Sequence, residues 1–151
     1  MTDLEETVRH HPLFRGLEPA LVHAAVRGAM EREAVAGELL AHEGSPAESL
    51  FLVLSGKVAL QMDRPDGGAL TVQTVGAGEV VGWSWLVPPH RWRFDVRAMK
   101  ASRALVLNGG SLREALQGHP AAGFQFLVRF LPLLAERLEN TRLQLMDLHA
   151  R

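Results

Sequence analysis

Cysteine is absent from the chain, and so is tyrosine. The first absence excludes disulfides, thiol catalysis, iron–sulfur clusters and cysteine-based zinc sites together. An excess of charge of one sign is missing too. Sixteen Lys and Arg face seventeen Asp and Glu, for a net charge of -1. No global basic field draws the chain to nucleic acid or to an anionic membrane, so neither direct DNA binding nor membrane binding is expected. Long apolar runs are also lacking. The greasiest stretch, Phe124 to Ala135, is broken by Arg129 and Pro132 and is too short to span a bilayer. The acidic opening Met1-Thr2-Asp3-Leu4-Glu5-Glu6 contains no apolar segment of the signal-peptide kind. What remains is 151 residues, 47% hydrophobic and 22% charged. That suits one cytoplasmic domain over 1–151, large enough to bury a core without staples.

Catalytic signatures are equally scarce. The sequence holds no G-x-S-x-G, no phosphate loop and no H-E-x-x-H, so no catalytic residue is assigned and no enzyme is expected. Gly76, Gly78 and Gly82 imitate a dinucleotide fingerprint at the wrong spacing, with no long helix after them. Of the seven histidines, His10 and His11 are neighbours that diverge on a helix, and His23, His42, His90, His119 and His149 stand alone. No metal site follows from them. His90 keeps a reservation as an axial ligand beside an aromatic-rich loop.

Three zones follow along the chain. Leu4 to about Met30 reads helical, interrupted at Pro12 and restarted at Glu18-Pro19, where Pro fits a first turn. From about Glu31 to Asn108, Gly and Pro punctuate short β-like runs every eight to twelve residues. The runs are Leu39-Leu40, Leu50 to Leu54, Lys57 to Met62, Ala69 to Val75, Arg91 to Met99 and Ala104 to Leu107. Pro65-Asp66-Gly67-Gly68 predicts a hairpin between two of them. The zone reads as a sandwich or barrel. Ser111 then reads as the N-cap of a short helix to about Gln117. After Gly118-His119-Pro120, a long helix is expected to about His149.

That helix carries Leu127, Leu131, Leu134, Leu138, Thr141, Leu145 and Leu148, a heptad spacing with one polar member. Packing on its own barrel and pairing with a second copy both fit. Pro132 should kink the helix near Val128. The part before it is then expected on the barrel. The part after it, Leu134, Leu138, Thr141, Leu145 and Leu148, is expected in a homodimer seam.

The segment Gly37-Glu38-Leu39-Leu40, followed by Gly44, Phe51, Leu54, Gly56 and Val58, resembles the cyclic nucleotide-binding domain of the CRP/FNR regulator family. Gly76-Ala77-Gly78-Glu79-Val80-Val81-Gly82 matches its next block. Val96-Arg97-Ala98 and Arg103-Ala104-Leu105-Val106-Leu107 match its closing strands. The resemblance implies an eight-stranded β-roll of the jelly-roll kind with helices at both ends, and a ligand-sensing role. The missing cysteines exclude the iron–sulfur form of sensing known in part of that family. Because the chain stops at Arg151, no helix-turn-helix is expected.

The departures sit in the pocket block. Where the family's nucleotide binders carry a ribose-binding Glu, this chain has Trp83, within Gly82-Trp83-Ser84-Trp85-Leu86. Where they carry the phosphate-binding Arg, it has Trp92, flanked by Arg91 and Arg93. Strand alternation puts Trp92, Phe94, Val96 and Ala98 inward and Arg91, Arg93, Asp95 and Arg97 outward. A bulge near Pro88-Pro89 would turn Arg91 or Arg93 inward. Backbone N–H groups at Ser84, read as the start of a short helix, would offer an anion site. The candidate ligand-binding residues are therefore Gly82, Trp83, Ser84, Trp85, Arg91, Trp92 and Arg93.

Three outcomes stay open: cyclic AMP or cyclic GMP, another small ligand, or a pocket filled by indole. The functional expectation is a non-catalytic sensor that dimerises and signals to a partner protein. The alternative is a degenerate roll kept as an interaction or assembly module.

Overall fold

The computed structural model describes residues 3–150. Two helices, α1 (Asp3–His10) and α2 (Pro19–Ala25), precede eight strands: β1 (Met30–Ala34), β2 (Leu39–Ala41), β3 (Ser49–Ser55), β4 (Lys57–Asp63), β5 (Ala69–Gly76), β6 (Val80–Val81), β7 (Asp95–Ala98) and β8 (Ser102–Asn108). Helices α3 (Gly109–Gly118) and α4 (Pro120–Ala150) follow. The strands form two four-stranded antiparallel sheets, ordered β1-β8-β3-β6 and β2-β7-β4-β5. This is the expected β-roll, and the hairpin at Pro65–Gly68 joins β4 to β5.

Strand β3 explains why two cores exist. Leu50 and Leu52 point into a core shared with the helices, among Phe14, Leu21, Trp85, Leu107, Leu112, Phe126 and Phe130. Phe51 and Val53 point the other way, into the roll, among Val58, Leu60, Val81, Trp92 and Val96. A strand buried on both faces reads as a continuous apolar run rather than an alternation. Gly56 turns β3 into β4 at φ +95°, where a Cβ would stand 2.2 Å from Ser102 Oγ and 2.6 Å from the Ala101 carbonyl oxygen.

Local expectations change in several places. Met30 opens β1 rather than closing a helix. The cap of α3 is Asn108, whose side chain accepts from the Ser111 N–H at 2.9 Å; Ser111 supplies only the donor. The run Arg91 to Met99 is a strand only over Asp95–Ala98. Before it, Arg91 makes an isolated bridge with Pro46, and Trp92 exchanges backbone hydrogen bonds with Gly44 and Ser45 at 2.8 and 2.9 Å. Asp95, expected outside, is buried. It accepts from the His42 ring at 2.9 Å and the Glu43 N–H at 2.7 Å, which meets the need of a buried carboxylate for donors.

Helix α4 continues through Pro132 to Ala150. Before Pro132 it packs through Phe126 and Phe130, with Leu127 partly covered. Leu131, expected on the barrel, is 56% exposed, as are Phe124 and Val128 to similar degrees. The covered face is thus offset from the heptad seam. Past Pro132, Arg137 bonds Gln73 on β5 and Gln144 bonds the Thr71 carbonyl, which tie α4 along the roll.

The turn after α1 is held by His11. Its Nδ1 accepts from the Leu13 N–H at 3.1 Å and its Nε2 donates to the Gly78 carbonyl at 2.8 Å, a pattern only the neutral ring can make. Burial, and to a smaller degree Arg15, lower its pKa, against a raising effect of the Gly78 bond. Below the ordinary value of about 6.5 the unfolded chain therefore binds protons that the fold rejects. Stability from His11 is present above that value and is lost as pH falls through the lower folded value. Melting curves from about pH 7.5 downward should show this loss for the wild type and a flatter profile for His11→Gln.

Candidate ligand cleft between the roll and the last helix

The loop between β6 and β7 sends its three indoles to three places. Trp92 enters the roll, 5% exposed, stacked on Phe51 with centroids 5.5 Å apart and planes at 17°. Phe94 meets it edge-on at 6.1 Å. Gly82 makes room for this: at φ +115°, a Cβ there would lie 3.0 Å from Trp92 Cη2 and 3.2 Å from the Ser49 carbonyl oxygen. Trp85 goes to the helical core and is fully buried against Phe126 and Phe130 at 6.2 and 5.8 Å. Its Nε1 donates to the Gly82 carbonyl at 2.8 Å, which satisfies the polar edge of a buried indole. Gly109, at the start of α3, is bare because a Cβ would meet Trp85 Cβ at 2.5 Å. Trp83 remains half-exposed, with the Arg93 guanidinium 5.4 Å over its ring, a cation–π geometry.

The remaining candidates divide accordingly. Ser84 is buried inside a single turn closed by Leu86 N–H to the Trp83 carbonyl at 3.0 Å. No helix starts there, so the expected anion site at a helix N-terminus is not formed. Neither arginine turns into the roll. Arg91 is exposed and donates to the Gly44 carbonyl at 2.9 Å, and Arg93 stays at the surface over Trp83. Arg113 donates to the Trp85 carbonyl. His90 takes φ 58° and its Nε2 is buried without a partner among the described residues. Among the described residues no group of three or more His, Asp or Glu is placed to hold a metal.

A cleft of about 460 Å³ opens between the roll and α4. Strands β4 and β5 supply Leu60, Met62 and Val72; the β6–β7 loop supplies Trp83, Val87, Arg93 and Phe94. Helix α4 supplies Leu134, Arg137, Leu138 and Thr141. Two expected ligand residues, Trp83 and Arg93, thus meet three expected seam residues in one cavity. Gly82, Trp85 and Trp92 support this wall from behind, and Arg91 lies away from it. Sequence reasoning overlooked Arg137. Its signal was available, since positions 134, 137, 138 and 141 fall on one helical face. Burial lowers the Arg137 pKa, and Glu136 and Glu79 raise it.

Residues 31–119 match the cyclic nucleotide-binding domain family. The CRP-like cAMP-activated global transcriptional regulator of Mycobacterium tuberculosis is 25% identical over 145 residues, 96% of this chain and 63% of that protein. The match thus spans less than two thirds of that relative's length. A cyclic nucleotide-binding domain from Methylobacillus flagellatus KT shares the fold at TM-score 0.72 and 26% identity, covering 96% of this chain and 82% of that one. The N-terminal domain of a transcriptional regulator from Streptomyces coelicolor A3(2) does so at TM-score 0.63 and 28% identity, covering 92% and 94%. The chain belongs to the cyclic nucleotide-binding domain family of CRP/FNR-type regulators. No helix among the described residues is long and apolar enough to cross a membrane.

The core position of Trp92 makes a direct prediction. Trp92→Arg, which restores the family's residue type, buries an unpaired guanidinium among Phe51, Val81 and Val96. It should cost about 3 kcal/mol or more in urea unfolding, and Trp92→Phe markedly less. Equal stability of Trp92→Arg and wild type would show that the indole is not the core of the roll.

Proposed function

We propose that this domain is a non-catalytic sensor whose cleft takes a small planar ligand bearing a negative charge. One observation carries this reading: Trp83 and Arg93 face Leu134, Leu138 and Thr141 across a single cavity. The flat apolar part of the ligand lies against Trp83 and Phe94, where aromatic stacking is favourable. The anionic group meets Arg93 at the mouth. Cyclic AMP and cyclic GMP belong to this chemical class. Their phosphate would sit at Arg93 rather than inside the roll, where Trp92 occupies the space. A phosphate in the roll without a guanidinium would carry an uncompensated charge.

The helix that closes the cleft also presents Leu138, Leu145 and Leu148 to solvent at 71, 52 and 57% exposure. An apolar heptad edge of this kind pairs with a second copy. Occupancy of the cleft acts on Leu134, Leu138 and Thr141 and so selects among packings of α4. A protein partner then reads the helix pair.

Titration of tryptophan fluorescence with cyclic AMP, cyclic GMP and haem, alongside thermal shift, tests the cleft. One of these ligands should move both signals, and Trp83→Ala should weaken it roughly tenfold, the worth of one stacked ring. Silence from all three in both measurements would sink the sensor reading and favour an assembly module. Leu145→Asp should convert dimers to monomers in sedimentation while leaving the melting temperature of the roll near wild type; an unchanged oligomer refutes the seam.

A further inference from the structure

A second cavity, of about 320 Å³, lies between the turn after α1, β5 with the turn that follows it, and α4. It shares only Arg137 with the cleft. Its apolar wall includes Leu13, Val75 and Leu133, and its polar wall is a set of charges that can be accounted for one by one.

Arg129 is anchored through Nη1, which donates to the carbonyls of Pro12, Leu13 and Arg15 at 2.9, 3.4 and 2.8 Å; its Nε and Nη2 have no acceptor among the described residues. His11 is neutral with both nitrogens engaged. Glu79 accepts the Gly76 N–H at 2.7 Å. Arg137 and Glu136 complete the set. Arg137 donates from Nε to Gln73 Oε1 at 3.1 Å and from Nη2 to the Val80 carbonyl at 2.9 Å. Both acceptors are neutral. Among the described residues its Nη1 has no acceptor and no carboxylate lies in ion-pair range. Glu136, on the exposed rim, accepts no hydrogen bond from any described residue.

A partly buried guanidinium with a spare donor group attracts a carboxylate. A simple anion would also face the charges of Glu79 and Glu136, and a simple cation would face Arg129 and Arg137. A molecule carrying both charges meets neither penalty. The cavity volume lies at the lower end of ligand pockets, about 300–1,000 Å³, and is small for a nucleotide. We propose that this cavity binds a small amino-acid zwitterion with an aliphatic side chain. Its carboxylate pairs with Arg137, its ammonium with Glu136, and its side chain lies against Leu13, Val75 and Leu133. The site stands independently of whether the cleft takes a ligand.

Isothermal titration of the full chain with L-leucine, isovalerate and isoamylamine separates the terms. Leucine should bind saturably at one site, with each analogue, which lacks one charge, at least about tenfold weaker. Glu136→Gln, on an exposed position that does not endanger folding, should weaken leucine about tenfold. Trp83→Ala, confined to the cleft, should leave leucine binding unchanged. No binding of leucine up to about 10 mM, isovalerate binding as tightly as leucine, or an unaffected Glu136→Gln would each overturn the proposal. An effect of Trp83→Ala equal to that of Glu136→Gln would overturn it as well, by placing leucine in the cleft.

Discussion

The stacking of Trp92 on Phe51 inside the roll constrains most of what surrounds it. An indole there leaves no room for a side chain at residue 82, which is glycine at a strongly positive φ. It also delays β7: backbone pairing before Asp95 is taken by Gly44 and Ser45, which clasp Trp92 on both sides. With the interior filled, Arg91 and Arg93 have no inward path and remain outside. The 460 Å³ cleft lies instead on the side facing α4. The filled roll and the open cleft beside the helix thus follow from one packing choice.

Trp85 applies the same constraint in the opposite direction. It anchors the loop in the helical core, next to Phe126 and Phe130 of α4 and over bare Gly109 of α3. Ten residues of chain, from Trp83 to Trp92, therefore hold one indole in each core and one at the cleft. Close-packed interiors transmit small displacements rather than absorb them. Trp85 packs on the first half of α4 through Phe126 and Phe130. Trp83 shares the cleft with Leu134, Leu138 and Thr141 of the second half. The loop and the helix are two sides of one mechanical unit.

Much of this was legible beforehand. The turn glycines fell in family order and gave the roll, the hairpin and the long helix. The inward position of Trp92 followed from alternation with Val96 and Ala98. Alternation failed at Asp95, because it counts faces and not hydrogen-bond donors; His42 and the Glu43 N–H, distant in sequence, are what allow that carboxylate to be buried. Ser111 lost the cap to Asn108 because both are good caps and only the geometry of β8 decides which oxygen meets the amide. Ser84 showed no helix because a single turn suffices between two anchored indoles. Leu131 was misplaced because the heptad seam and the buried face of α4 run along different stripes of one cylinder, and Phe126 with Phe130 define the buried one. The cleft itself was out of reach as a unit. Its members come from β4, β5, the loop and α4, and only the fold makes them neighbours.

Arg137 shows how far that neighbourhood extends. Arg137 shares a helical face with Leu134, Leu138 and Thr141, a charge on an otherwise apolar stripe. Its guanidinium lies along β5, bonded to Gln73 and Val80, and forms a wall of both cavities. Taking a cation out of water costs several kcal/mol unless acceptors replace the hydration, and two neutral acceptors replace only part of it. The placement therefore makes sense as a device for position: it fixes the rotation of α4 about its axis. That rotation sets which leucines line the cleft and which reach solvent. Gln144 on the Thr71 carbonyl and the buried Phe126 and Phe130 share that task, so the register of α4 rests on polar and apolar contacts together.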